Sequence, residues 1–139
     1  LYYNNIKMKN TIFDIIKYVY YISLIILLFL YLFPGSLIGF FLYNDIGKQP
    51  NLISNPFGTS INHLIFFFYL SIHGFIVHIK YKKIIFSFPF LFCVAILFEL
   101  LHLIIPNRAF ELNDLFGNSL GVIFAFLILN LIKKLIFKL

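Results

Sequence analysis

The chain has 139 residues, of which 62% are hydrophobic and only 12% charged, and its formal net charge is +6. This composition excludes a disordered chain, which would be poor in hydrophobic residues and rich in charge. It also argues against a soluble globular domain, because such a fold would have to expose large apolar patches. The sequence therefore predicts an integral membrane protein.

Several apolar runs are long enough to cross a bilayer, which takes about 20 helical residues. The fold class predicted from them is an all-α helical bundle with four transmembrane helices. Residues 1–10 are predicted to form a cytoplasmic flank, and residues 11–139 a single transmembrane domain. The predicted spans cover about 12–33, 61–79, 84–105 and 114–132.

The segments between these spans carry turn residues. Pro34 and Gly35 end the first span, because proline cannot continue a helix and glycine permits the turn. Residues 37–43 are apolar but too short to span, so an interfacial or re-entrant piece is predicted. Residues 44–60 form a loop, and Pro89 lies early enough in the third span for a kink to be tolerated.

The chain begins with Leu1, and Met8 follows shortly after. We expect either an alternative start codon or a start at Met8. The first apolar run has no small-residue cleavage site, so we expect it to be a retained anchor.

Basic residues predict the orientation of the spans. Lysines are dense before the first span, in the turn 80–83 and in the C-terminal tail, whereas the other two connections carry only Lys48 and Arg108. Because short cytoplasmic loops are enriched in Lys and Arg, this alternation places both termini in the cytoplasm. The charge thus indicates contact with membrane lipids in a plasma (inner) membrane, and nucleic acid is not an expected partner.

Metal and cofactor sites are not predicted. Cys93 is the only cysteine, which excludes a disulfide or a cysteine-based zinc site within one chain. Glu99 and His102 have the Glu-x-x-His spacing of di-iron bundles, but such a site needs a second copy and further carboxylates on other helices.

Polar residues from three spans and one loop map to the outer rim of the predicted bundle. An ionisable residue in mid-span costs about 2.5–3.5 kcal/mol, so such positions indicate function. Glu99 lies about 9 Å below the end of its span, deep enough to need a partner. The predicted ligand-binding residues are Asn62, His63, Glu99, His102, Arg108, Asp114 and Asn118. The candidate catalytic residues are Glu99, His63, His102 and Asp114.

Each of these positions also has a structural interpretation. Asn62 and His63 could mark a helix start at the membrane interface, and Asp114 could be a first-turn acid stabilised by the helix dipole. Arg108 could contact lipid phosphates. Gly117 and Gly121 are typical of close helix packing rather than of function.

The polar positions of the second half of the chain resemble the VanZ-like family. Seven positions match within residues 99–121: Glu99, His102, Pro106, Arg108, Asp114, Asn118 and Gly121. In the first half His63 fits the family pattern, but Thr59 and Ser60 stand where the family has an Asp-Lys pair. The resemblance covers about 13–132 and is strong only over 95–121.

The resemblance implies a multi-pass protein of the bacterial cell envelope and a set of residues, not a reaction. The family is named after an accessory protein of resistance to glycopeptide antibiotics, so a link to antibiotic resistance is part of what the resemblance implies.

Three functions remain open from the sequence. The first is binding of an anionic or lipid-linked envelope ligand at the outer rim, with Arg108 on a phosphate or carboxylate. The second is an enzyme that uses the Glu, His and Asp side chains for acid–base chemistry on a lipid-linked envelope substrate. The third is a purely structural role in which Arg108 pairs with Glu99 or Asp114. We favour a ligand-facing Arg108.

Overall fold

The structure is a computed structural model that describes residues 2–50 and 60–136, with side chains from residue 8 onward except those of 9 and 136. Within these ranges the regular structure is entirely helical, as the all-α prediction requires. A single turn of 3₁₀ helix lies at Ile84–Phe86. The α-helices are α1 (Tyr2–Leu32), α2 (Leu37–Tyr43), α3 (Ser60–Tyr81), α4 (Phe88–Leu101) and α5 (Leu112–Ile136).

Three helices are long and apolar enough to cross a membrane. They cover Asn10–Leu32, Ser60–Tyr81 and Leu112–Leu135. Most of their large apolar side chains point outward, as on Ile25 and Phe29, which are 55% and 67% exposed. An apolar exterior of this kind is suited to lipid and not to water, so the chain has the helices of a membrane protein.

The predicted third span, 84–105, is not one continuous helix. Ser87 is extended, and Pro89 lies in the first turn of α4, where its missing N–H costs no hydrogen bond. At the other end the N–H of His102 bonds to the carbonyl of Glu99, a tight turn ahead of Pro106. Helix α4 therefore has only 14 residues, roughly 21 Å of helix at 1.5 Å per residue, and is shorter than the other three.

The four longer helices alternate in direction. Tyr31 near the end of α1 contacts His63 near the start of α3, so these two helices are antiparallel. Helices α3 and α5 run parallel, because Ser60 and Asp114 bond at their starts. Residues 82–111, which join them, must therefore return along the whole bundle, and α4 lies in that segment antiparallel to both.

The contact between α3 and α5 is the most extensive in the fold. Two glycines make it possible: a Cβ at Gly117 would lie 2.5 Å from the carbonyl oxygen of Ser60, and one at Gly121 would lie 2.5 Å from that of Leu64. The absence of a side chain lets the two backbones touch. The packing interpretation of Gly117 and Gly121 therefore agrees with the structure.

Tyrosine side chains tie the helices together at the lysine-rich end. The Tyr20 hydroxyl donates to the carbonyl of Ile85 over 2.6 Å. Tyr81 donates to Asp14, which also pairs with Lys17 at 2.8 Å. These contacts fix the start of α1 against the end of α3.

A short helical segment covers the opposite end of the bundle. The piece predicted to be interfacial or re-entrant is helix α2, whose first turn is capped by the Ser36 hydroxyl accepting from the N–H of Gly39. Ser36 also donates its own N–H to the carbonyl of Ile46. Residues 44–50 of the predicted loop follow α2 as turns, and 51–59 lie outside the described residues. This segment brings Gln49 and Pro50 beside the polar residues below.

Candidate functional site

Buried polar side chains meet where α1 and α4 end and where α3 and α5 begin. Tyr31 comes from α1, His63 from α3, and Glu99 and His102 from the end of α4, while α5 contributes two more. The exposed fractions are Tyr31 6%, His63 9%, Glu99 0%, His102 4%, Asp114 4% and Asn118 0%. We call these six residues the polar cluster.

Asn118 fixes the directions of the hydrogen bonds around Tyr31. Its amide nitrogen lies 3.3 Å from the carbonyl of Ala95, which can only accept, so Oδ1 is the atom that points to Tyr31. The Tyr31 hydroxyl donates to that Oδ1 over 2.6 Å. Having spent its single proton, the hydroxyl accepts from Nδ1 of His63, 2.7 Å away. His63 therefore carries a proton on Nδ1, and its Nε2 faces Asp114.

Glu99 is held through one of its two carboxylate oxygens. Oε1 lies 3.3 Å from Nδ1 of His102 and accepts the backbone N–H of Glu111 over 3.1 Å. Oε2 has no hydrogen-bond partner among the described residues and lies 3.8 Å from Nδ1 of His63.

In Asp114, as in Glu99, one carboxylate oxygen is hydrogen-bonded and the other lies near a nitrogen of His63. Its Oδ1 accepts from the Ser60 hydroxyl over 2.6 Å. Its Oδ2 lies 3.3 Å from Nε2 of His63. Asp114 also stands in the first turn of α5, where the helix dipole favours a negative charge.

A cavity of about 60 Å³ opens beside the polar cluster, under Gln49 and Pro50. This volume holds a few water molecules or one small polar group. Its polar lining consists of Tyr31, Ser36, Gln49, Asn62, His63, His102 and Arg108. No carboxylate lines it, because Glu99 and Asp114 lie behind the two histidines. We call it the polar cavity.

Arg108 lies at the mouth of the polar cavity and binds the end of α1. Nη2 donates to the carbonyl of Leu30 over 2.6 Å, and Nε donates to that of Phe33 over 3.3 Å. The last carbonyls of a helix lack intrahelical partners, which makes them ready acceptors. Burial lowers the pKa of the guanidinium from its ordinary value, although arginine stays charged in proteins.

The pairing of Arg108 with Glu99 or Asp114, which the structural alternative required, is not formed. Over the ranges that the structure describes, no carboxylate oxygen lies within 4.0 Å of its nitrogens. Glu99 is already bonded by His102 and Glu111, which leaves the α1 carbonyls as the nearer acceptors. Partial burial raises the pKa of the Glu111 carboxyl, and the nearby Asp114 and Glu99 add to that rise.

Asn62 contributes to the polar cavity and not to the cluster. Its amide donates to the carbonyl of Pro50 over 2.6 Å and so ties α3 to the covering segment. Its Oδ1 is buried and has no partner among the described residues, and the same holds for Nε2 of His102. Both residues line the polar cavity.

The structure thus brings five of the seven predicted residues into one cluster and sets Asn62 and Arg108 on the wall of the adjoining cavity. Sequence reasoning missed Tyr31 and Ser60. Neither carries a charge, and a tyrosine near the end of a span is typical of an interfacial belt. The one sequence signal was that Ser60 stands three residues before His63, within one helical turn.

An apolar groove adjoins the polar cavity along α1 and α3. Its volume is about 400 Å³, and we call it the apolar groove. Leu27, Leu30 and Phe66 line both the groove and the polar cavity, so the two spaces are neighbours that share these three side chains as walls. The remaining lining residues are Ser23, Ile26, Ile65, Tyr69 and Leu70.

No protein-family model matches the chain, and neither a curated protein nor a solved structure does. The interpretation of the site rests on its own geometry: a buried acid–base cluster, a small polar cavity beside it and an apolar groove next to both.

Proposed function

We propose that this chain is a multi-pass protein of the bacterial plasma membrane, of VanZ-like type, that binds an amphiphile with an anionic head group. The observation that carries the proposal is that the polar cavity and the apolar groove lie side by side and share three lining residues. A membrane lipid or a lipid-linked envelope ligand has both parts that these spaces would hold. Its head group would lie in the cavity, and its acyl or polyprenyl chain would lie in the groove.

The lining of the polar cavity favours a negative head group. Arg108 uses two N–H donors on α1 and has five in all. The others have no partner among the described residues, so they can form the charge-assisted hydrogen bonds that phosphate accepts well. His63 and His102 also line the cavity, and no carboxylate residue is among its lining residues.

The groove favours a hydrocarbon chain. Seven of its eight lining residues are aliphatic or aromatic, Ser23 being the exception. A chain lying there buries apolar surface that both partners would otherwise present to disordered lipid. Binding of the head group would then decide which amphiphile occupies the groove.

The topology we propose is four crossings with both termini in the cytoplasm. It is supported by the parallel α3 and α5, since the segment between them has to return across the same thickness. The lysines of the turn 80–83 and of the end of α5 then share one end of the bundle with Lys17. The positive-inside rule makes that end cytoplasmic and directs the polar cavity to the envelope side.

A membrane-embedded enzyme is the second candidate. His102 favours it, because this residue lines the polar cavity, its Nδ1 is backed by Glu99, and its buried Nε2 has no partner among the described residues. A histidine oriented by a carboxylate is an arrangement suited to general acid–base catalysis on a head group.

The proposal is tested by thermal unfolding of the full chain in detergent, with helical circular dichroism as the signal. Phosphatidylglycerol and phosphatidylcholine of identical acyl chains are the two probes. Phosphatidylglycerol should raise the unfolding temperature markedly more, because a ligand at 100 times its Kd stabilises by about 2.7 kcal/mol.

Asn62→Leu is the variant that should weaken this effect, since it replaces a polar wall group by an apolar one of similar size. Asn113→Leu is the matched control, because Asn113 is exposed at the same end of the bundle and does not line the polar cavity. Equal stabilisation by both lipids, or an Asn62→Leu protein that responds like the wild type, would refute the proposal.

A further inference from the structure

We infer that His63, Glu99 and Asp114 form a binding site for one divalent transition-metal ion, of the Zn²⁺ or Mn²⁺ class. This departs from the sequence analysis, which predicted no metal because the second Glu-x-x-His of a di-iron site is missing. The site inferred here uses only one histidine and two carboxylates, one from each of three helices.

The spacing of the donor atoms suits a single ion. One ligand atom from each of the three residues lies within 4.8 Å of the others. Nε2 of His63 and Oδ2 of Asp114 are 3.3 Å apart. Two ligands bound tetrahedrally to zinc at about 2.0–2.1 Å are roughly 3.3–3.4 Å apart, so this pair needs little movement to share an ion.

Each ligand is held by one atom and leaves another free. Nδ1 of His63 is bonded to Tyr31, which leaves Nε2. Oε1 of Glu99 is held by His102 and Glu111, which leaves Oε2 buried and without a hydrogen-bond partner among the described residues. Oε2 lies 3.8 Å from Nδ1 of His63, so it has to turn toward Nε2 to share the ion. Asp114 holds Ser60 with Oδ1 and directs Oδ2 to His63.

Outer-shell hydrogen bonds of this kind orient the ligands of metal sites, where a ligating histidine donates its second N–H. The unpartnered Oε2 of Glu99 is the observation that an internal hydrogen-bond network does not explain. The large majority of buried polar atoms in folded proteins have a hydrogen-bond partner, so a buried carboxylate oxygen without one points to a missing ligand such as an ion.

Charge gives an independent reason. Glu99 and Asp114 are both buried, and among the described residues no lysine or arginine nitrogen lies within 4.0 Å of either. The basic groups recorded within 4.0 Å of them are the imidazoles of His63 and His102, which offset the carboxylates only when protonated. Burying carboxylates without a compensating charge is costly. Glu99 also lies in the last turn of α4, where the helix dipole disfavours a negative charge. A divalent cation offsets both carboxylates at once.

His63 belongs to the inferred site and also lines the polar cavity, so we expect the ion to enter from that cavity. The inference does not depend on the proposed amphiphile, because it uses carboxylates that the cavity does not expose. Metal binding is measured in detergent without added lipid, so failure of one proposal leaves the other standing.

The test uses the purified full chain in detergent, stripped with EDTA and titrated with Co²⁺ as a spectroscopic probe. We expect one equivalent of Co²⁺ to bind with visible d–d absorption typical of four or five N and O ligands, and Zn²⁺ to displace it. Zn²⁺ alone should also raise the unfolding temperature of the wild-type chain. A folded wild-type chain that shows neither saturable absorption nor a Zn²⁺-dependent shift overturns the inference.

Variants locate the ion. Asp114→Asn and Glu99→Gln keep the size of the side chains and should each weaken Co²⁺ binding at least 100-fold. His73→Gln is the matched control, because His73 lies mid-helix on α3, ten residues from His63, and among the described residues its contacts are the carbonyl and the ring of Tyr69.

Loss of binding in His73→Gln with retention in Asp114→Asn would show adventitious binding and overturn the inference. Should Glu99→Gln fail to fold, Asp114→Asn and the wild-type titration still decide the matter.

Discussion

The hydroxyl of Tyr31 joins three helices through a single oxygen atom. It donates to Asn118 of α5 and accepts from His63 of α3, while its ring stacks on His102 with the planes 15° apart. Because Asn118 is fully buried, its Oδ1 loses a buried donor if the hydroxyl is removed. The orientation of His63 in the polar cluster therefore depends on Tyr31.

We predict that Tyr31→Phe lowers the free energy of unfolding by about 1–3 kcal/mol, the cost of leaving a buried polar group unsatisfied. Tyr18→Phe is the control, since Tyr18 is 62% exposed on the same helix. Thermal unfolding in detergent measures both. Equal stability of the two variants would contradict the role given to the hydroxyl.

Arg108 stabilises the fold by binding α1, whatever else it contacts. Arg108→Ala should lower the free energy of unfolding by about 2–3 kcal/mol, because hydrogen bonds to charged groups contribute about 1.5–3 kcal/mol. Arg108→Lys should recover part of the loss, since an ammonium keeps the charge but not the planar fork. Wild-type stability of Arg108→Ala in chemical denaturation would show that the carbonyl contacts contribute nothing.

The residues that could be found from the sequence share one property: each is a polar or charged group whose burial in an apolar run costs free energy. Charged and strongly polar groups in apolar runs need partners, so Glu99, His63 and Asn118 stood out against their neighbours. Tyr31 and Ser60 cost little at a helix end and gave no such signal. Arg108 was found, but its partners were not, because backbone carbonyls leave no trace in a sequence.

Helix α5 packs on α3 through two glycine contacts spaced one turn apart. A methyl group at either position would have to displace backbone and not a flexible side chain. The register set there also brings Asp114 to Ser60 and His63, so helix packing and site geometry are coupled.

Gly121→Ala should therefore destabilise the protein by about 1–3 kcal/mol through overpacking, although alanine favours helix formation. Gly47→Ala is the control, because a Cβ there meets only a side-chain oxygen of Asp45 at 3.3 Å. Chemical denaturation of both variants checks the difference. A Gly121→Ala protein as stable as the wild type would show that the two backbones can separate without cost.

Helix ends could be predicted where the chain carries helix-breaking or charged residues. Pro34 and the basic turn after α3 stand close to the observed helix ends, within one or two residues of the predicted limits. The start of α4 differs, because Pro89 was read as a tolerated kink and in the structure it opens the helix. Hydropathy alone could not distinguish a kink within one helix from a new helix that begins at Pro89, since residues on both sides of Pro89 are apolar.

At the scale of the whole molecule, charge and polarity are segregated to opposite ends. Lysines follow α3 and end α5, while the polar cluster, the polar cavity and Arg108 lie at the other end. The sequence predicted this segregation through the positive-inside rule. It could not predict that the short segment after α1 covers the cavity, because that contact depends on long-range packing of α2 and its turn.

The proposed topology predicts the accessibility of introduced cysteines. In a Cys93→Ser background, which removes the only native cysteine, Gln49→Cys should react with a membrane-impermeant maleimide on intact cells. Lys82→Cys should react only after permeabilisation. The reverse pattern would place the polar cavity in the cytoplasm and rule out an envelope ligand.

In the function proposed above, the polar cavity and the apolar groove together select an anionic amphiphile. Native mass spectrometry of the chain purified from bacterial membranes tests it directly, by the lipid that stays bound as detergent is removed. We expect one anionic lipid to stay bound to the wild type and to Asn113→Leu. We expect Asn62→Leu to lose this lipid. Anionic and zwitterionic lipids retained in proportion to their abundance, on all three proteins alike, would contradict it.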